Sequence, residues 1–173
     1  VAGTHGKTTT TSLLAWILDC AGLAPGFLIG GAPADFPFSA RLGSGRAFVI
    51  EADEYDTAFF DKRAKFLLYR PRTVIINNIE FDHADIYPDL DAIIRQFHQL
   101  VRTVPGGGRL IVPAHDANVA RLLDLGCWTP VTRFGSGDDA EWTGREDPPG
   151  TFRLATAGRE VGAVPWQLAG AHN

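Results

Sequence analysis

The sequence predicts an α/β domain with a mostly parallel sheet flanked by helices and a small antiparallel β appendage near the C-terminus. Three observations carry this. Short apolar runs alternate with helical stripes up to about residue 125, a glycine-lysine-threonine loop stands directly before the first stripe, and the texture changes after about Val131. The first stripe, Leu13, Leu14, Ile17, Leu18 and Ala21, has helical spacing and is closed by Gly22 and Pro25. Phe27-Leu28-Ile29, Ala47-Phe48-Val49-Ile50 and Thr73-Val74-Ile75-Ile76 are short enough to be buried parallel strands. From Leu90 to Val104 the apolar residues line one stripe, and Pro105-Gly106-Gly107-Gly108 ends the helix. Arg109-Leu110-Ile111-Val112 reads as a strand and Ala117 to Leu125 as a short helix. Beyond them, Thr151-Phe152-Arg153-Leu154 and Val161-Gly162-Ala163-Val164 flank the Asp147-Pro148-Pro149-Gly150 turn and predict the appendage, either as part of the main sheet or as a subdomain.

The 173 residues, 45% of them hydrophobic, suit one well-buried core. A net charge of −4 argues against a broad nucleic-acid surface. Cys20 and Cys127 lack the spacing of a disulfide framework or a zinc site, which fits a reducing compartment. With no apolar run long enough to span a bilayer and no leader pattern, the expected location is the cytoplasm, away from membranes.

The chemistry starts at Gly3-Thr4-His5-Gly6-Lys7-Thr8-Thr9. Glycines let backbone amides turn onto an anion, the helix start adds its positive dipole end, Lys7 can reach outer phosphates, and Thr8 can offer its hydroxyl to magnesium. This makes the predicted fold P-loop NTPase-like. The pattern departs from the usual form because Val1 stands where its first glycine belongs, and only Val1 and Ala2 precede the loop, so the chain reads as cut from something longer. Ligands of open α/β sheets collect beyond the carboxyl ends of strands. Two more such ends are polar: Glu51-Ala52-Asp53-Glu54-Tyr55-Asp56, and Asn77 to Asp85 with His83. Thr8 and Glu51 with phosphate oxygens would make an ordinary magnesium site, with His83 a less common ligand. His98, at the border of its helix stripe, reads as a packing residue, and His5 as positional.

These motifs, with Gly170-Ala171-His172-Asn173 at the end, together resemble the central ATPase domain of the Mur ligases, in family order along the whole chain. His5 resembles the muramate-using members. Phe27-Leu28-Ile29-Gly30-Gly31, Glu54-Tyr55-Asp56 and Phe59-Phe60-Asp61-Lys62-Arg63 resemble the branch that reattaches recycled murein tripeptide rather than the alanine-adding branch. The resemblance implies one central domain over residues 1–173, with a uridine-nucleotide-binding domain before it and an amine-presenting domain after it. It also implies ATP and Mg2+ as cofactors, with UDP-N-acetylmuramic acid and L-alanyl-γ-D-glutamyl-meso-diaminopimelate as substrates. The lactyl carboxylate would be activated as an acyl phosphate and then attacked by the tripeptide amine. In that scheme Lys7, Glu51 and His83 serve catalysis, and Thr8, Glu51 and His83 hold metal. Gly3, Thr4, His5, Gly6, Lys7, Thr8, Thr9, Asn78 and Asn173 bind the nucleotide, with Asn173 at the adenine. Several relatives place a carbamylated lysine fifteen residues after the histidine matching His83; His98 stands there, so His98 or a water replaces it or the second metal is held more weakly. The alternatives are the alanine-adding ligase and a non-catalytic nucleotide-binding module.

Overall fold

A computed structural model describes residues 1–82 and 85–166. Helix α1 (Lys7–Cys20) follows the loop and stops at Ala21 and the left-handed Gly22. Strands β1 (Gly26–Leu28), β2 (Ala40–Arg41) and β3 (Phe48–Ile50) form one group, with β1 parallel to β3 and antiparallel to β2. A small hairpin, β4 (Asp56–Ala58) and β5 (Asp61–Ala64), leads through a 3-10 turn (Lys65–Leu68) to β6 (Thr73–Ile75). Then come α2 (Leu90–Thr103), β7 (Arg109–Pro113), α3 (Ala117–Asp124), β8 (Val131–Gly135), β9 (Trp142–Glu146), β10 (Thr151–Thr156) and β11 (Arg159–Pro165).

Val1 and Ala2 join the strand groups. The Val1 amine donates to the Ile50 carbonyl (2.8 Å) and Ala52 N–H to the Val1 carbonyl (2.7 Å). On the other side Ala2 N–H donates to Ile75 O (2.8 Å), and Asn77 N–H to Ala2 O (3.0 Å). These two residues therefore act as the strand that feeds the loop, between β3 and β6, and the described order becomes β2-β1-β3-(1–2)-β6-β7-β8-β9-β10-β11. The chain leaves this central position toward β1 and β3 on one side and β6 on the other. Such a reversal of strand order is where α/β sheets bind ligands.

The C-terminal strands continue the main sheet. Strands β6 to β9 run parallel, while β10 pairs antiparallel with β9 and β11 with β10, each with its sequence neighbour. The antiparallel appendage is thus an extension of the sheet and not a separate subdomain.

Packing follows the alternation of strand side chains. On one face α1 packs through Ala15 against Phe27, Ile29 and Val49. On the other, α2 and α3 cover Val74, Ile76, Leu110 and Val112 with Phe97, Leu100, Val119 and Leu122. Asp89 caps α2 by accepting from Ala92 N–H (2.7 Å), and Asp116 caps α3 by accepting from Asn118 and Val119 N–H (2.8 and 2.9 Å), so both helices start where the site edge ends. No helix among the described residues is long and apolar enough to cross a membrane.

Candidate functional site

The loop sits where three strand ends meet. Gly3 has φ 136° and Gly6 φ 76°, both in the left-handed range that favours glycine. A Cβ on Gly3 would lie 3.1 Å from the Asn77 nitrogen and the Asn78 carbonyl, so the loop passes that strand end with room only for hydrogen. Gly6 gives α1 no side-chain cap, and the first turn of α1 contains no acidic residue. The amides at its start could take an external anion, which the helix dipole would favour there.

Two asparagines brace the loop from the end of β6. The Asn78 side-chain oxygen accepts from His5 N–H (2.8 Å) and its amide donates to His5 O (3.2 Å), while Thr4 N–H donates to the Asn78 carbonyl (3.1 Å). Asn77 donates to His5 O (3.3 Å) and to the Thr10 hydroxyl (3.0 Å). The Thr4 hydroxyl exchanges hydrogen bonds with the Glu80 backbone. Asn78 therefore reaches the loop backbone, and His5 points its ring outward, 3.6 Å from Glu80. Thr9 lies in the first turn of α1.

Thr8 and Glu51 meet directly. The Thr8 hydroxyl donates to Glu51 Oε1 (2.7 Å), and Gly30 N–H donates to Oε2 (2.6 Å), which holds the carboxylate beside the hydroxyl. A Cβ on Gly30 would come within 3.0 Å of Oε1, and one on Gly31 within 2.9 Å of Thr8 Cγ2. The Gly30-Gly31 pair thus makes space for this oxygen pair. A hydroxyl and a carboxylate are hard donors that suit magnesium, which keeps several waters. Together with the open amides of α1 they fit a magnesium-bound phosphate.

Lys7 is folded back into the loop. Its ammonium donates to Gly3 O (2.8 Å), Thr4 O (3.3 Å) and the Glu54 carboxylate (3.1 and 3.4 Å), and Glu54 is 3% exposed. The buried Tyr87 hydroxyl donates to the Glu54 carbonyl (2.6 Å). Burial, with the Glu54, Asp56 and Asp53 carboxylates nearby, pushes this phenol up to about 12.

Of the sequence candidates, the structure brings Gly3, Thr4, His5, Gly6, Lys7, Thr8, Thr9, Glu51 and Asn78 to one sheet edge. His83 and Asn173 lie outside the described residues. His98 is elsewhere: its Nε2 donates to Gly126 O (3.1 Å) in the connection that enters β8, at the opposite edge of the sheet, and its ring packs near Trp128. Beside the loop, a cavity of about 340 Å³ includes Thr10, Asn77, Phe134 and Trp142, and no charged side chain lines it.

The sequence matches the Mur ligase middle domain over residues 1–173. The chain belongs to the Mur ligase family. Among relatives, it is 51% identical over 175 residues to the UDP-N-acetylmuramate–L-alanyl-γ-D-glutamyl-meso-2,6-diaminoheptandioate ligase of Escherichia coli, covering 100% of this chain and 38% of that protein. It is 38% identical over 176 residues to the UDP-N-acetylmuramate–L-alanine ligase of Oleidesulfovibrio alaskensis, covering 100% and 37%. The solved UDP-N-acetylmuramate:L-alanyl-γ-D-glutamyl-meso-diaminopimelate ligase of Neisseria meningitides superposes with a TM-score of 0.90 at 54% identity, over 99% of this chain and 55% of that one. The chain thus spans under two fifths of the length of either relative.

Sequence reasoning put Glu54 and Asn77 at the polar strand ends without a role for either, and it missed Tyr87 and Gly30. Glu54 sits in a run of acids in which nothing local marks the one that turns inward. The Gly30-Gly31 pair after β1 was the available signal, because a double glycine at a strand end implies close approach by another group.

Proposed function

We propose that this chain is the ATP-binding part of a ligase that joins L-alanyl-γ-D-glutamyl-meso-diaminopimelate to UDP-N-acetylmuramic acid, with ADP and phosphate as the other products. The observation that carries it is the Thr8–Glu51 pair at 2.7 Å beside Lys7 and the uncapped start of α1, in a chain 51% identical to a tripeptide-adding ligase. The loop amides and Lys7 would bind the phosphates and offset the charge that builds on the transferring phosphoryl group. Thr8, Glu51 and His83 would hold magnesium, which would offset the negative charge of the phosphates. Asn78 would keep the loop in its binding shape, and Asn173 would contact the adenine. No side chain of this chain needs to act as a nucleophile: a lactyl carboxylate oxygen takes the phosphoryl group as ADP leaves, and the amine then displaces phosphate from the acyl carbon.

The alanine-adding reading is second, supported by the 38% identity to such an enzyme. Tripeptide and L-alanine, offered separately to the complete encoded protein with Mg-ATP and UDP-N-acetylmuramic acid, separate the two. Tripeptide is expected to drive phosphate release; a response to L-alanine alone would reverse the assignment. Lys7→Met is expected to abolish release, and unchanged turnover in that variant would remove the loop from the reaction.

A further inference from the structure

Glu51 and Glu54 share one acidic run and serve different partners. Glu51 meets Thr8, whereas Glu54 meets Lys7 in a pair whose side chains are 13% (Lys7) and 3% (Glu54) exposed. The lysine ammonium has three N–H donors. Gly3 O, Thr4 O and the Glu54 carboxylate take them at 2.8, 3.3 and 3.1 Å, so a phosphate oxygen that reaches Lys7 must replace one of the three. Parting from Glu54 would give up an ion pair held almost out of water, the strongest of the three contacts. The Thr4 carbonyl is neutral and makes the longest of the contacts, so it is the cheaper one to give up. Tyr87 fixes the other side of Glu54 by its 2.6 Å hydrogen bond to the backbone carbonyl, so Glu54 does not follow Lys7 outward.

We propose that Glu54 is a positioning residue for Lys7: it keeps hold of the ammonium while a nucleotide phosphate replaces a loop carbonyl, and so sets the direction from which Lys7 meets the transferring phosphoryl group. The inference rests on the ATP-binding reading above. Two effects oppose each other here. The Glu54 charge weakens the pull of Lys7 on a ground-state phosphate, and its anchoring fixes the geometry needed during transfer. Removing the charge therefore tightens ATP binding and slows turnover.

The test measures kcat and KM for ATP by phosphate release from the complete encoded protein with UDP-N-acetylmuramic acid and the tripeptide. Glu54→Gln is expected to lower kcat about tenfold and KM about threefold, the combination that a purely structural defect does not give. Glu54→Asp keeps the charge and is expected to return KM to the wild-type value and recover most of kcat. Glu54→Gln within about twofold of wild type in both constants overturns the inference. So does equal loss of kcat in the Gln and Asp variants with equally lowered melting temperatures. If Glu54→Gln fails to fold, Tyr87→Phe takes its place: lowered kcat at unchanged KM supports the anchoring, and unchanged kcat overturns it. No ATP-dependent release by the wild-type protein would overturn the ATP-binding reading and this inference with it, whereas wild-type release with an unaffected Glu54→Gln overturns the inference alone.

Discussion

Asn78→Ala tests whether the loop is held in a binding shape by the end of β6. The substitution removes two hydrogen bonds, from His5 N–H (2.8 Å) and to His5 O (3.2 Å), from a side chain that is nearly buried. At about 1 kcal/mol each, their loss amounts to about 2 kcal/mol of loop order. The backbone bonds Thr4 N–H to Asn78 O and Asn77 N–H to Ala2 O survive, so the sheet keeps its register while the loop segment loosens. A nucleotide must then restore that order, which weakens its Kd about 30-fold. Calorimetric titration of the complete encoded protein with Mg-ADP measures this. Thr129→Val is the control: its hydroxyl bonds to Val104 O (3.1 Å) and Pro105 O (3.3 Å) at the far edge of the sheet, so it costs about 1 to 2 kcal/mol of stability without touching the loop. The expected result is a weakened Kd in Asn78→Ala alone. An Asn78→Ala Kd within about twofold of wild type, or equal weakening by Thr129→Val, refutes the bracing argument.

Other perturbations address different parts of the structure. Gly31→Ala brings a methyl to 2.9 Å from Thr8 Cγ2, so it is expected to turn Thr8 away from Glu51 and raise the magnesium concentration needed for nucleotide binding, with little change in melting temperature; an unchanged magnesium titration would contradict this. Phe97→Ala, in the core and 5.4 Å from the Phe66 ring centroid, is expected to cost about 3 to 5 kcal/mol in denaturant unfolding. Tyr87 gives a pH signature. Its phenol is raised from 10.0 to about 12 in the folded state, so its contribution is complete below pH 10 and disappears as pH rises through 12. Unfolding free energies measured from pH 9 to 12 are expected to fall by up to about 2 kcal/mol from this group, and Tyr87→Phe to lack that component.

Much of this architecture was legible because some segments announce themselves by several signals at once. In α2 the apolar stripe, the Asp89 cap and the Pro105-Gly106 stop agree, and the helix spans Leu90–Thr103. The β4–β5 hairpin carries no such agreement. Its strands are polar, and Phe59 and Phe60, which hydrophobicity alone would bury, lie 93% and 91% exposed at its turn. Strand direction was equally unreadable at the C-terminus: the change of texture after about Val131 predicts an antiparallel appendage, yet β8 and β9 pair in parallel. At the site, Lys7, Thr8 and Glu51 stand at strand ends where chemistry is expected. Glu54 meets Lys7 only because the folded loop turns Lys7 back on itself, a contact between residues 47 positions apart.

The central claim is that the loop, Lys7 and the Thr8–Glu51 pair support phosphoryl transfer to a carboxylate. Oxygen-18 in the lactyl carboxylate of UDP-N-acetylmuramic acid reports on it directly, because one carboxylate oxygen bonds to phosphorus and leaves with it when the amine attacks. With the complete encoded protein, Mg-ATP and the tripeptide, the account predicts one labelled oxygen in each phosphate released together with the new amide. Unlabelled phosphate, from ATP hydrolysed by water alone, would contradict it.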